Sequence, residues 1–77
     1  MLPIQCKMAR TALGWGVRDL ARRAAKSPAT VVKFESGDEV RGTTAENLRR
    51  ALEKAGVVFI DSNGGGPGVR LKRKPKR

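Results

Sequence analysis

The chain has 77 residues, and its 17 Lys and Arg against seven Asp and Glu give a net charge of +10 at pH 7. A single cysteine and the absence of histidine exclude an internal disulfide framework and a zinc site. No apolar stretch approaches the ~20 residues of a membrane span or resembles a signal sequence, so we expect a cytoplasmic protein without membrane association.

The positive charge is unevenly distributed along the chain. Residues 70–77 carry six positive charges and no negative one, whereas residues 1–69 carry eleven positive and seven negative charges. A charge of this sign and density favours a polyanionic partner, with nucleic acid first and an anionic membrane surface second. Because a chain this short buries little apolar area alone, dimerisation would add stability.

The first two predicted elements are short helices. Apolar residues at helical spacing predict the first helix over residues 4–13, and its expected buried face is Ile4, Met8, Ala9, Ala12 and Leu13. The two glycines that follow break this pattern, because glycine loses the most backbone freedom on folding. The second helix is predicted over residues 17–25, with three apolar residues on its buried side: Leu20, Ala21 and Ala24.

The third predicted helix has a clear start signal. Ser27 can cap exposed backbone N–H groups, and Pro28 suits the first helical position because its missing N–H would have no partner there. These residues predict a helix over residues 28–36 that buries Val31 and Phe34 and ends at the following glycine.

A loop at residues 38–42 precedes the fourth predicted helix. Thr43 and Glu46 form a capping-box pattern, in which the threonine caps the helix and the glutamate bonds back to it. The helical pattern continues through two leucines and stops at Gly56. Residues 1–56 therefore predict a bundle of four short helices.

After residue 56 the pattern changes to that of β-strands. Residues 57–60 are β-branched or aromatic, residues 63–68 contain four glycines and a proline, and residues 69–72 alternate apolar and basic side chains. Together they predict a β-hairpin over residues 57–72, and residues 73–77 are expected to form a disordered basic tail. The predicted fold class is mainly α, with four short helices and a C-terminal hairpin.

The first strand of the predicted hairpin is apolar on both faces. Alternation places Val57 and Phe59 on one face and Val58 and Ile60 on the other. The helices of one small monomer can cover only one of these faces. We therefore expect a homodimer that is joined through residues 57–60.

Residues 17–36 are typical of a helix-turn-helix, in which two short helices are joined by a tight turn. The first helix of such a motif lies across the DNA phosphates, while the second enters the major groove, which is about 12 Å wide. The second helix needs apolar residues inside and small or polar residues outside. The predicted outward residues are Pro28, Ala29, Val32, Lys33 and Ser36.

Residues 8–52, and above all the segment DLARRAAKSPATVVKFESG, resemble the phage repressor/Cro-type (XRE) helix-turn-helix family. The resemblance implies a lambda-repressor-like DNA-binding domain in residues 1–56. It also implies a dimer on a palindromic operator, with two recognition helices about one DNA turn (~34 Å) apart. The implied function is that of a sequence-specific transcription regulator in the nucleoid, which controls its own or an adjacent promoter in a phage, mobile element or controller system.

The resemblance also assigns residues to DNA contacts. It places base contacts on the recognition helix at Pro28, Ala29 and Lys33, and methyl contacts with thymine add Val32. It places phosphate contacts at the starts of both motif helices and on the following loop, at Val17, Arg18, Ser27, Thr30, Arg41 and Thr43. Arg10 matches a family arginine that pairs with an acidic residue, which is Glu35 in this chain.

Three positions depart from the family pattern. Val17 replaces a common glutamine, so only its backbone N–H remains for a phosphate. Ala25 replaces the turn glycine, which costs on the order of 1 kcal/mol in a left-handed conformation. Pro28 and Ala29 cannot form bidentate bonds with bases, so we expect base readout to depend on Lys33 at guanine, on methyl contacts and on DNA shape.

Two other functions stay open from the sequence. The same module could serve as a DNA-binding antitoxin whose hairpin or tail neutralises a toxin. It could also serve as a protein-interaction adaptor, or anti-activator, that has lost DNA binding. An enzyme is not expected, because the sequence contains no visible acid–base or metal constellation. The sequence likewise indicates no cofactor and no small-molecule ligand.

Overall fold

The computed structural model describes residues 1–62 and 64–72, which form four helices followed by an antiparallel hairpin. The elements are α1 (Pro3–Ala12), α2 (Val17–Arg23), α3 (Pro28–Glu35), α4 (Gly42–Lys54), β1 (Val57–Ile60) and β2 (Gly68–Leu71). This architecture confirms the predicted mainly α fold with its C-terminal hairpin. The tail predicted at residues 73–77 lies outside the described residues. No helix in the described ranges has the length and apolarity that crossing a membrane requires.

The motif helices α2 and α3 form much as predicted. All five residues assigned to their buried side lie in the core: Leu20, Ala21, Ala24, Val31 and Phe34. The cap is also as predicted, since Ser27 Oγ accepts a hydrogen bond from the Thr30 N–H at 3.2 Å. Helix α2 ends earlier than expected because Ala25 adopts a left-handed conformation with φ of 55°.

The predicted buried face of α1 is partly wrong. The buried residues of this helix are Gln5, Cys6 and Ala9, whereas Ile4 is 52% exposed and Ala12 is also exposed. Ile4 and Cys6 are two positions apart, which places them about 200° apart around the helix axis. A face centred between Cys6 and Ala9 therefore turns Ile4 to solvent.

The predicted capping box at the start of α4 is also wrong. The helix begins at Gly42, its cap residue is Arg41, and no side chain bonds to the cap. The Arg41 carbonyl accepts the first helical N–H groups, from Thr44 at 2.9 Å and Ala45 at 3.2 Å. Because Thr43 already lies inside the helix, it cannot take the extended conformation that a capping residue needs.

The hairpin packs one face onto the helices. Its register pairs Val57 with Leu71, Val58 with Arg70, Phe59 with Val69 and Ile60 with Gly68. The pairs that contain Val57 and Phe59 pack against the core, and Val57 is 2% exposed. By alternation Val58 and Ile60 lie on the outer face, where Ile60 is 39% exposed.

Gln5 joins α1 to the loop end of the hairpin. Its Oε1 accepts the Leu2 N–H at 2.8 Å, and its Nε2 donates to the carbonyls of Ile60 at 3.0 Å and Gly68 at 3.1 Å. The side chain is buried, so each of these bonds replaces a contact with water. The amide therefore fixes the position of the hairpin on the helical bundle.

Candidate nucleic-acid interface

Four exposed side chains form a strip along α3, and we call them the recognition strip: Pro28, Ala29, Val32 and Lys33. Their spacing places them on one face of the helix. The opposite side is held in the core by Val31 and Phe34, which are 0% and 7% exposed. The strip is thus presented to solvent on a helix that is anchored from beneath.

The start of α3 carries two hydroxyl groups that contact each other. Ser27 Oγ and Thr30 Oγ1 are 2.8 Å apart, and either oxygen can be the donor. In either arrangement one hydroxyl hydrogen remains free to donate to an outside acceptor. Ser27 is exposed and Thr30 is half-buried, so such an acceptor can reach this end of the helix.

Three of the predicted DNA contacts are exposed cations: Arg18 in the first turn of α2, Lys33 in the recognition strip and Arg41 before α4. Among the described residues, ion pairs within 4.0 Å form only at Arg10, Arg22 and Arg49. Arg18, Lys33 and Arg41 therefore keep their charge available for an anion outside the chain.

The remaining two predicted phosphate contacts differ in accessibility. Thr43 is exposed in the first turn of α4. Val17 is half-buried and its side chain packs against the core, which leaves only its backbone for an external contact. The N–H of Gly16, the cap residue of α2, already has a partner within the chain, because it donates to Asp19 Oδ2 at 2.8 Å.

A buried ion pair joins the end of α3 to α1. Arg10 Nε donates to Glu35 Oε2 at 2.8 Å and its Nη2 donates to Oε1 at 2.9 Å, which is a bidentate arrangement. The two side chains are only 15% and 9% exposed. Arg10 also donates to the Trp15 carbonyl at 3.4 Å, so the same guanidinium reaches the segment before α2.

Cys6 completes this cluster. Its thiol is fully buried and donates to Glu35 Oε2 at 3.3 Å. Burial raises the pKa of the Cys6 thiol well above its ordinary value, and the Glu35 carboxylate raises it further. The hydrogen bond to Glu35 also raises the pKa of Arg10. The cluster therefore holds a neutral thiol beside a charged pair and has the character of a structural link rather than of a reactive site.

The structure divides the four residues of the expected dimer contact between two faces. Val57 and Phe59 pack against helices of their own chain, whereas Val58 and Ile60 lie on the outer face. Two further apolar side chains, which the sequence pattern did not assign to the dimer contact, are exposed: Leu2 at 48% and Ile4 at 52%. Both precede Gln5 in the chain, and the Gln5 amide bonds to the Ile60 carbonyl.

Sequence reasoning also missed Gln5 itself, although a polar residue within an apolar helical face is a signal for a buried hydrogen bond.

Over the described part of the chain, no group of three or more His, Cys, Asp and Glu side chains could hold a metal ion. Comparison with protein-family models finds no family that matches this chain, and comparison with curated proteins finds no significant match.

Proposed function

We propose that the protein is a sequence-specific, DNA-binding transcription regulator of the helix-turn-helix type. The observation that carries this proposal is the recognition strip, an exposed face on a short helix whose other face is buried. The net charge of +10 supports a nucleic-acid partner. The resemblance to the XRE family adds a dimer on a palindromic operator in the nucleoid, acting on its own or an adjacent promoter.

In this proposal the recognition strip reads the major groove. Lys33 donates to guanine O6 and N7, and the methyl groups of Ala29 and Val32 contact thymine. Val32 is 51% exposed, so its methyl groups are accessible to a thymine methyl. Because the strip has a single charged group, DNA shape supplies part of the specificity.

Phosphate contacts position the strip in the groove. The exposed guanidinium groups of Arg18, in the first turn of α2, and Arg41, before α4, bind phosphate oxygens. The free hydroxyl at Ser27 and Thr30 and the exposed hydroxyl of Thr43 donate to further phosphates. The bidentate pair between Arg10 and Glu35 ties the end of α3 to α1 and so fixes the orientation of α3.

A homodimer supplies the second recognition helix in this proposal. Val58 and Ile60, which share the outer face of the hairpin with Arg70, are the apolar residues that the second copy covers. Sedimentation that finds a monomer both in solution and on DNA would contradict this part of the proposal and leave DNA binding itself intact.

The proposal is tested by footprinting on the DNA upstream of the protein's own gene, followed by affinity measurements with Lys33→Ala. We predict a loss of about 1–3 kcal/mol on the preferred site, with relaxed preference at one base pair and little change on random DNA. Lys7→Ala is the matched control, since Lys7 is an exposed lysine on α1 and its loss changes the net charge equally.

If Lys33→Ala and Lys7→Ala changed the ratio of specific to random affinity equally, Lys33 would not be a base reader. The absence of any preferred DNA site would instead favour the adaptor, because Pro28, Ala29 and Val32 form an apolar surface that also suits a protein partner. Co-purification with a toxin encoded next to the gene would favour the antitoxin.

A further inference from the structure

A cleft of about 220 Å³ lies between the end of α2 and one face of α4. Its polar lining consists of Arg23, Asn47, Arg50 and Lys54, and alanine side chains make up the rest. The lining contains three cations and no carboxylate. The only acceptor among its side chains is the Asn47 amide oxygen, so the cleft chiefly offers hydrogen-bond donors.

The three cations of the cleft have no carboxylate partner within 4.0 Å in the described part of the chain, although arginines next to two of them do. Arg22, beside Arg23, lies 3.8 Å from Asp19, and Arg49, beside Arg50, lies 3.0 Å from Glu53. Three like charges around one cleft repel each other. No carboxylate of the described residues lies within 4.0 Å of them, and an anionic ligand would supply the missing negative charge.

One of these cations is held in place before any ligand binds. The Arg23 guanidinium stacks on the Trp15 ring, with 4.8 Å between its carbon and the ring centroid. A stacked guanidinium keeps its planar set of donors for a phosphate or carboxylate. The alanines leave open the space that longer side chains would fill.

We propose that this cleft binds a small phosphorylated molecule through its phosphate groups. A charge of up to +3 matches a diphosphate better than a single carboxylate. The volume is below the range of about 300–1,000 Å³ that is typical of pockets for whole drug-sized ligands, so the cleft accommodates the phosphate groups and leaves the remainder of the ligand in solvent.

The cleft is separate from the predicted DNA contacts. None of its lining residues belongs to the recognition strip or to the predicted phosphate contacts. Arg23 and the alanines of the α2 end nevertheless border the turn that leads into α3, so an occupied cleft is in position to influence the recognition helix. The inference does not rest on DNA binding, and its test needs no DNA.

The test uses the full chain and inorganic pyrophosphate as the probe. Trp15 is the only tryptophan, and its contact with Arg23 makes its fluorescence a reporter of the cleft. We expect saturable changes in Trp15 emission with pyrophosphate at constant ionic strength. Arg50→Ala should weaken this binding about tenfold or more, which corresponds to the loss of one charge-assisted contact. Lys7→Ala, which removes an exposed cation on α1 that lines no part of the cleft, should leave it unchanged.

A non-saturable response, or equal weakening by Arg50→Ala and Lys7→Ala, would overturn the proposal. A second outcome would also overturn it: Arg50→Ala weakens binding to all DNA sequences, while pyrophosphate does not change Trp15 emission. The cleft would then be a contact for the DNA backbone. Circular dichroism of both variants checks that the helices are retained. Failure of this test would leave the proposed regulator function untouched, because that function is measured at Lys33.

Discussion

Ala25 adopts a backbone conformation that usually belongs to glycine. Its φ of 55° lies in the turn between α2 and α3, where its N–H bonds to the Arg22 carbonyl and the next N–H, of Lys26, bonds to the Ala21 carbonyl. This pair of bonds is the Schellman arrangement, which ends a helix and normally has glycine at the left-handed position. The β-carbon of an alanine is strained there by about 1–2 kcal/mol.

We predict that Ala25→Gly raises the free energy of unfolding by about 0.5–1 kcal/mol, because relief of strain exceeds the added flexibility of the unfolded chain. Urea denaturation measures the change. Ala12→Gly, at an exposed helical residue, should lower the free energy of unfolding by up to about 1 kcal/mol. Equal destabilisation by both substitutions would show that Ala25 is not strained.

The buried thiol of Cys6 predicts a pH dependence. Burial first and the Glu35 carboxylate second raise its pKa in the folded protein. In the unfolded chain the thiol ionises above about pH 8.5, so at higher pH the unfolded state binds fewer protons than the folded state. Stability must then fall as pH rises.

We predict that the free energy of unfolding decreases between pH 8 and 9.5, with a slope that approaches about 1.4 kcal/mol per pH unit once the unfolded thiol ionises. Cys6→Ser has no thiol to titrate and should lack this component. Urea denaturation at several pH values compares the two proteins. A difference between them that stays constant over this range would contradict the raised pKa.

At the scale of elements, the pair of Arg10 and Glu35 couples α1 to the recognition helix. Removing one member of a buried ion pair leaves the other charge without compensation. We predict that Arg10→Ala lowers the free energy of unfolding by about 3 kcal/mol. Arg22→Ala, which breaks an exposed pair, should cost less than about 0.5 kcal/mol. Similar costs for the two variants would mean that water compensates Glu35.

The starts and buried faces of α2 and α3 could be predicted because their determinants are local. Leu20 and Val31 follow the helical period, Ser27 and Pro28 mark a start, and Gly37, with φ of 86°, lies just beyond the end of α3. The same local signals predicted the recognition strip, since residues opposite a buried face must be exposed.

The buried face of α1 could not be predicted in this way because its determinants are distant in sequence. Gln5 is buried by bonds to carbonyls 55 and 63 positions further along the chain, and Cys6 by a bond to a residue 29 positions away. The periodicity of apolar residues contains no information about hydrogen-bond partners that are distant in the sequence. The cleft between α2 and α4 was missed for the same reason, since it depends on how two helices pack.

At the scale of the whole molecule, the distribution of charge predicts two kinds of DNA binding, one that depends on the DNA sequence and one that does not. Residues 1–69 have a small excess of positive charge, whereas residues 70–77 carry six positive charges and no negative one. We expect the folded part to select the DNA site and the C-terminal residues to add affinity that does not depend on sequence. The two contributions respond differently to salt.

Each phosphate that the protein neutralises releases counterions and adds about −0.9 to the slope of log affinity against log salt concentration. A chain that ends at Lys72 lacks four of the positive charges. We predict that its slope is shallower by about 0.9 for each removed charge that contacts DNA, while its ratio of specific to random affinity is retained. Affinities measured between 50 and 200 mM salt give both quantities. An unchanged slope would mean that residues 73–77 do not contact DNA, and a lost ratio would place part of the sequence readout in the tail.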